Sequence, residues 1–284
     1  MKKSFLFAAL VALLVTTSCT TAPERFGWYD DFDCPLYGDI DSITITKYDN
    51  LTEKFGEIVK KRVADKVVYK FNMNGDVVEE AKYSRVGSLK EKTIYKYDSK
   101  GNEIEEAHYN HDGTLLFKLL CEYDSQGKLI EIAVYNTDGS LSGRLLNIYD
   151  SQDKLIESAE YNSDGSLSGK YFYKYDSMDN IIEEAEYNSD GSLIEKYLYV
   201  YDSMDNKIEE AKYNSNGLLR EKRIGKYDAE DKLIEVVDYN RNGLQNGKYL
   251  YKYDSQGNWV ERVKYKNESV IPISMTERII VYRK

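Results

Sequence analysis

Apolar and polar side chains alternate along most of this chain in short runs, and turn residues interrupt the runs about every thirteen positions. GKYFYKY (169–175) and KYLYVY (196–201) put aromatic rings at every second place, the period of a β-strand and not of a helix. Between such runs stand DSQG at Asp124–Gly127 and NTDG at Asn136–Gly139. Each fits a hairpin of three loop residues ending in a left-handed Gly, followed by a bulge. Asp153, Asp179, Asp205 and Asp231 take the place of the first Gly in four units, and Asp tolerates that conformation better than most residues.

The pattern is a tandem repeat. Its leading aromatics are Phe71, Tyr97, Tyr123, Tyr149, Tyr175, Tyr201, Tyr227 and Tyr253, and every step is 26 residues. Two strands per unit over roughly nine units predict about 18 strands and a sheet about 80 Å long in the stacking direction. The expected fold is all-β: an elongated antiparallel meander of tandem 26-residue β-hairpin repeats, twisted and coiled as a single-layer sheet. Residues 48–284 would form this domain, with 19–47 a tether and N-terminal cap over the first strand edge. The last unit departs after Tyr265, replacing the second Gly with Ser269 and adding Pro272, as a terminal strand pair would.

Taking register from the turns alone, Tyr175 should oppose Ile181, Tyr173 Glu183 and Tyr171 Ala185. The second turn should set Tyr187 against Leu193 and Glu184 against Lys196. On this reading Glu79, Glu105, Glu131, Glu157, Glu183, Glu209, Glu235 and Glu261 lie in the tyrosine face as a Glu–Tyr ladder. That face, expected to be concave, offers Tyr135, Tyr161, Tyr187, Tyr213, Tyr239, Tyr173 and Tyr199 as a candidate ligand surface for a protein partner or a glycan.

Reaction chemistry is sparse. Eight equivalent glutamates do not supply the distinct acid and base of a hydrolase. The serines sit in turns with no His repeated beside them. The two histidines, His108 and His111, read as surface residues, and no metal or cofactor is expected. The turn acids Asp138 and Asp164 read as turn stabilisers and not calcium ligands. The expectation is therefore a non-catalytic module.

Composition adds location and partner class. Lys2 and Lys3, an apolar run from Phe5 to Val15 and small polar residues before Cys19 make residues 1–18 a secretory signal. Eleven apolar residues are too few to span a bilayer. The lone Cys resembles a bacterial lipoprotein processing site, which implies lipidation of Cys19, a membrane anchor and an outer-membrane location on either side. The chain carries a net charge of −10, and removing the two lysines of residues 1–18 makes it more acidic still, which excludes nucleic acid as the main partner. Besides Cys19, only Cys34 and Cys121 are present, enough for one bridge and not for a disulfide framework.

The phrases YDSQGKLIE and YDSQGNWVE, with the NSDGS turns, resemble the YD repeats of the RHS family over about residues 48–284. Asp254, Gly257, Asn258 and Trp259, then Thr276, Glu277 and Arg278, are similar to the closing unit of YD-repeat lipoproteins of Gram-negative bacteria. The resemblance implies an antiparallel strip that winds into a shell, and little about activity. The hairpin grammar also resembles MORN-type antitoxin proteins, so an antitoxin or immunity-type protein is the alternative beside a carbohydrate-binding surface protein.

Overall fold

The computed structural model describes residues 36–54, 57–60, 62–267, 269 and 271–284. The signal sequence, Cys19 and Cys34 lie outside the described residues. The chain opens with β1 (Ile40–Asp49), a short hairpin of β2 (Thr52–Lys54) and β3 (Glu57–Val59), and β4 (Arg62–Phe71). The repeats then supply β5 (Val77–Tyr83), β6 (Leu89–Tyr97), β7 (Glu103–Asn110), β8 (Leu115–Tyr123), β9 (Leu129–Asn136), β10 (Leu141–Tyr149), β11 (Leu155–Asn162) and β12 (Leu167–Tyr175). After these come β13 (Ile181–Asn188), β14 (Leu193–Tyr201), β15 (Lys207–Asn214), β16 (Leu219–Tyr227), β17 (Leu233–Asn240), β18 (Gln245–Tyr253), β19 (Trp259–Lys266) and β20 (Pro272–Tyr282).

Among the described residues, all strands except β2 and β3 join one 18-stranded antiparallel sheet. The sheet has no free edge. β1 pairs with β4 on one side, Ile43 opposite Tyr69, and with β20 on the other, Ile43 opposite Ile280. The chain is thus a closed barrel, which corrects the expected elongated open meander. Two features drive the closure. A bulge interrupts every repeat pairing and raises twist and coil, and pairing the two terminal strands removes edges that would otherwise expose a row of unpaired amides. Residues 40–47, expected as part of a cap, are instead a staple between the first and last strands of the repeats.

Residues at the seam reinforce it. The Asn258 side chain accepts from the Tyr37 amide (2.7 Å) and donates to the Tyr37 carbonyl (2.8 Å) and the Tyr282 hydroxyl (2.7 Å). The Tyr282 hydroxyl in turn donates to Asp254 at 2.5 Å. Trp259, only 1% exposed, stacks beneath the Arg278 guanidinium, 3.4 Å from the ring centroid. The β2–β3 hairpin lies outside the seam, where Leu51 and Ile58 cluster with Val263 and Met275.

The turns form as their chemistry dictates. In the unit at Asp150, the Asp153 amide donates to the Asp150 carbonyl (3.1 Å) and the Asp150 amide to the Lys154 carbonyl (2.9 Å). The Asp150 carboxylate also accepts from the amides of Gln152 (2.8 Å) and Lys154 (3.0 Å), which lowers its pKa. Asp153 has φ +67°, and Asp179, Asp205 and Asp231 share the left-handed conformation, as their positions in the repeat predict.

Register departs from the expectation. Tyr175 does oppose Ile181 and Tyr187 does oppose Leu193. Ile182 and Ile194 are then skipped by the pairing, so Tyr173 opposes Glu184, Tyr171 Glu186, Phe172 Ala185 and Glu184 Tyr197. Each strand therefore slips by one residue soon after its turn, and a slip of one moves every following side chain to the other face.

Candidate functional site: the two faces of the barrel wall

The slip assigns the acids anew. The eight glutamates of the expected Glu–Tyr ladder stand on the outer face, and each meets a cation there. Lys70 bonds Glu79 (2.9 Å), Lys96 bonds Glu105 (2.7 Å), Arg144 faces Glu131 (3.6 Å) and Lys170 bonds Glu157 (2.5 Å). Further round, Lys174 bonds Glu183 (2.8 Å), Lys222 bonds Glu209 (2.6 Å), Lys226 bonds Glu235, and Lys252 bonds Glu261 (2.7 Å). The lysine pKa values rise at Lys96, Lys174 and Lys226 because of these hydrogen bonds.

The seven candidate tyrosines separate into two groups. Tyr135, Tyr161, Tyr187, Tyr213 and Tyr239 are half-buried on the outer face, opposite Lys118, Arg144, Lys170, Lys196 and Lys222. Tyr187 meets Phe172 edge to face with centroids 5.5 Å apart. Tyr173 and Tyr199 point into the lumen, so the expected single tyrosine surface does not exist.

Lumen-facing side chains change character around the barrel. From β8 to β10 they are apolar apart from Asn147: Leu119 (0% exposed), Cys121, Ile132, Val134 and Leu145 form one buried cluster with Tyr171 and Tyr173 of β12. From β13 to β17 they are mostly half-buried and polar: Glu184, Glu186, Glu195, Tyr197, Tyr199, Glu210, Lys212, Arg223 and Asp238. Lys212 bonds Glu195 (2.9 Å) and lies 4.8 Å from the centre of the Tyr197 ring. Arg223 sits between Glu210 (3.6 Å) and Asp238 (3.4 Å). The Tyr199 hydroxyl donates to Glu184 (3.3 Å), and Lys207 lies 5.1 Å from the Tyr199 ring.

Burial raises the pKa of Glu184 and, with the charge of Glu195 added, that of Glu186. Glu160 on β11 is pushed up to about 7 by burial and by the nearby charge of Glu186. No signal in the turn grammar could reveal these lumen acids. The paired glutamates Glu183–Glu184 and Glu209–Glu210 do carry one, because adjacent residues of a strand must point to opposite faces.

The histidines are not brought together. His108 faces the lumen, where Nε2 lies 2.7 Å from Glu106, Nδ1 lies 3.2 Å from the Thr93 hydroxyl, and the ring stacks on Phe117. His111 is exposed in the following turn. Among the described residues no group of three His, Cys, Asp or Glu side chains is placed to hold a metal ion. Asp138 and Asp164 accept from the amides and hydroxyls of Ser140 and Ser166 within their turns. Cys121 is a free thiol, and burial raises its pKa.

A family model described only as an uncharacterised protein matches residues 87–199. No curated protein matches in sequence. Among solved structures, a porin-like protein from Bacteroides uniformis is similar over 87% of this chain and 99% of its own, at 8% identity and a TM-score of 0.46. The TcdB2–TccC3 complex matches over 82% of this chain and 15% of its own, at 14% identity and a TM-score of 0.31. A DUF1329 family protein from Desulfovibrio piger matches over 86% of each chain, at 8% identity and a TM-score of 0.24.

Proposed function

We propose that this protein is a non-catalytic binding module of the cell envelope, tethered through a lipid on Cys19, whose recognition surface is the lumen wall from β11 to β17. The observation that carries the reading is the contrast between the faces across repeats. The outer positions repeat with little change: Glu at all eight places of the Glu183 column and Tyr at all eight of the Tyr187 column. The lumen position of Glu186 is occupied in turn by Lys82, His108, Val134, Glu160, Glu186, Lys212, Asp238 and Lys264. A position that serves only repeat stacking needs the same residue in every unit, whereas recognition of one ligand needs different residues at different places.

The outer face also supports a water-exposed barrel. A bilayer-spanning barrel presents a continuous apolar band to lipid, and charge at the midplane of that band is costly. Here every repeat places an ion pair on the outer wall. Native mass spectrometry of the full chain released from membranes tests the reading. A bound small-molecule adduct should survive Tyr187→Ala on the outer face and be lost in Glu186→Lys in the lumen; the reverse pattern would refute it. Cys19→Ala should move the protein from the membrane to the soluble fraction.

The outer Tyr–cation pairs favour a second reading, a protein partner that docks on the outer wall. Photo-crosslinking from position 187 and from position 173 separates the two, because only the second reading yields an adduct from 187 alone. A glycan held by the lumen tyrosines would appear as the mass-spectrometric adduct itself.

A further inference from the structure

Glu160 stands where the apolar lumen wall ends. Its register neighbour on β10 is Leu145, a buried residue, and on β12 it is Gly169, which offers no side chain. Glu160 is 7% exposed; its carboxylate meets the Tyr171 hydroxyl, and its Oε1 is left without a hydrogen-bond partner. Tyr173 is 4% exposed, and its hydroxyl lies beside that of Ser158. Both point into the lumen on neighbouring strands. A buried polar atom with no partner is costly, so Glu160 Oε1 marks a place where a ligand would be repaid in hydrogen bonds.

The charge around this place is one-sided. From β10 the lumen side presents Gly143, Leu145 and Asn147, and from β11 Ser158, which donates to Asn147, beside Glu160. β12 presents Gly169, Tyr171 and Tyr173, and β13 presents Glu184 and Glu186. The cations lie further round: Lys212 bonds Glu195, and Arg223 sits between Glu210 and Asp238. Lys207, beside Tyr199, acts on Glu184, and Lys212 acts on Glu186. Three carboxyl groups thus border three tyrosine rings, with an apolar wall on the other flank.

We infer that the lumen wall at Glu160, Tyr171, Tyr173 and Glu186 binds an organic ammonium ion with an apolar body. Its N–H groups would donate to Glu160 Oε1 and Glu186, its charge would lie against the faces of Tyr171 and Tyr173, and its apolar part would rest on Leu145 and Ile132. A bare metal ion is the poorer match, since the described residues offer no group of three His, Cys, Asp or Glu ligands there. This inference rests on the lumen being the recognition surface and adds the ligand's chemical class.

Isothermal titration of the full chain with benzylamine, benzyl alcohol, benzoate and calcium chloride at matched ionic strength tests it. Benzylammonium should bind at about pH 8, and at least about tenfold more weakly at about pH 5.5, where Glu160 is protonated. Glu160→Gln and Tyr173→Phe, both close in shape to the native residues, should each weaken it by a similar factor, while Tyr187→Ala leaves it unchanged. Binding of benzyl alcohol or benzoate, lost in the same lumen variants, would overturn the ammonium assignment and leave the lumen reading standing. Preferential binding of calcium would overturn it likewise. No heat with any probe, or benzylammonium binding that ignores both lumen variants, would refute the site itself.

Discussion

The inner walls of β8–β10 and of β13–β17 are built from the same repeat and share an outer surface, yet their lumen sides have opposite chemistry. At equivalent places the first carries Leu119, Ile132 and Val134, and the second carries Tyr197, Glu210 and Lys212. Outside, Glu131 pairs with Arg144 as Glu209 pairs with Lys222. The outer lattice and the turns therefore fix the architecture, while the inward positions are free to differ. One wall acts as core, and the other holds a charged, half-buried surface at the cost of desolvating several carboxylates.

The largest break in this comparison should come from the apolar wall. Leu119→Ala removes a fully buried side chain and should cost about 2–5 kcal/mol by denaturant melting, whereas Tyr197→Ala on the half-buried wall should cost clearly less. Equal losses would mean that the polar wall is packed as core too.

Next in size is a pH effect at the boundary between the walls. The Glu160 pKa rises from 4.5 to about 7 on folding, so the native state holds a proton that the unfolded chain has released in that interval. Stability should fall as pH rises from about 4.5 to about 7, by about 3 kcal/mol from this group. Glu160→Gln should flatten that slope. The turn aspartates act with the opposite sign. Asp124 and Asp150 have lowered pKa values, so their contribution is present above about pH 4 and is lost in stronger acid.

Smaller effects test the parts the two walls share. Gly139 has φ +81° and open space around its missing Cβ, so Gly139→Ala should cost about 1 kcal/mol from backbone strain alone. A double-mutant cycle on Lys174 and Glu183 should give about 0.5 kcal/mol of coupling that fades with added salt, as exposed pairs do. A coupling several times larger would show that the outer lattice is cooperative.

The strand count, the antiparallel order and the turn geometry were legible because Gly, Asp and Asn carry their backbone preference locally. Asp153 and Asp179 adopt left-handed φ for the reason the repeat suggests. The second bulge was not legible, since Ile182 and Ile194 look like any other strand residue and no turn signal marks the slip. Its consequence was large, because it exchanged Glu183 for Glu184 in the lumen and divided the candidate tyrosines between faces. Closure was hidden for another reason. β1 has none of the repeat's turn grammar, and its pairing with β20 joins residues such as Thr44 and Ile279 that are far apart in sequence. The lumen cluster around Glu160 depended on both features, so neither composition nor spacing could assemble it.

The one-residue slip is the claim on which the two faces rest, and side-chain accessibility tests it directly. Glu183→Cys and Glu184→Cys, each in a Cys34→Ala, Cys121→Ala background, can be labelled in the native state with a bulky maleimide. Fast labelling at 183 and protection at 184 is the expected result; equal rates, or protection at 183 instead, would contradict the assignment of lumen and outer wall.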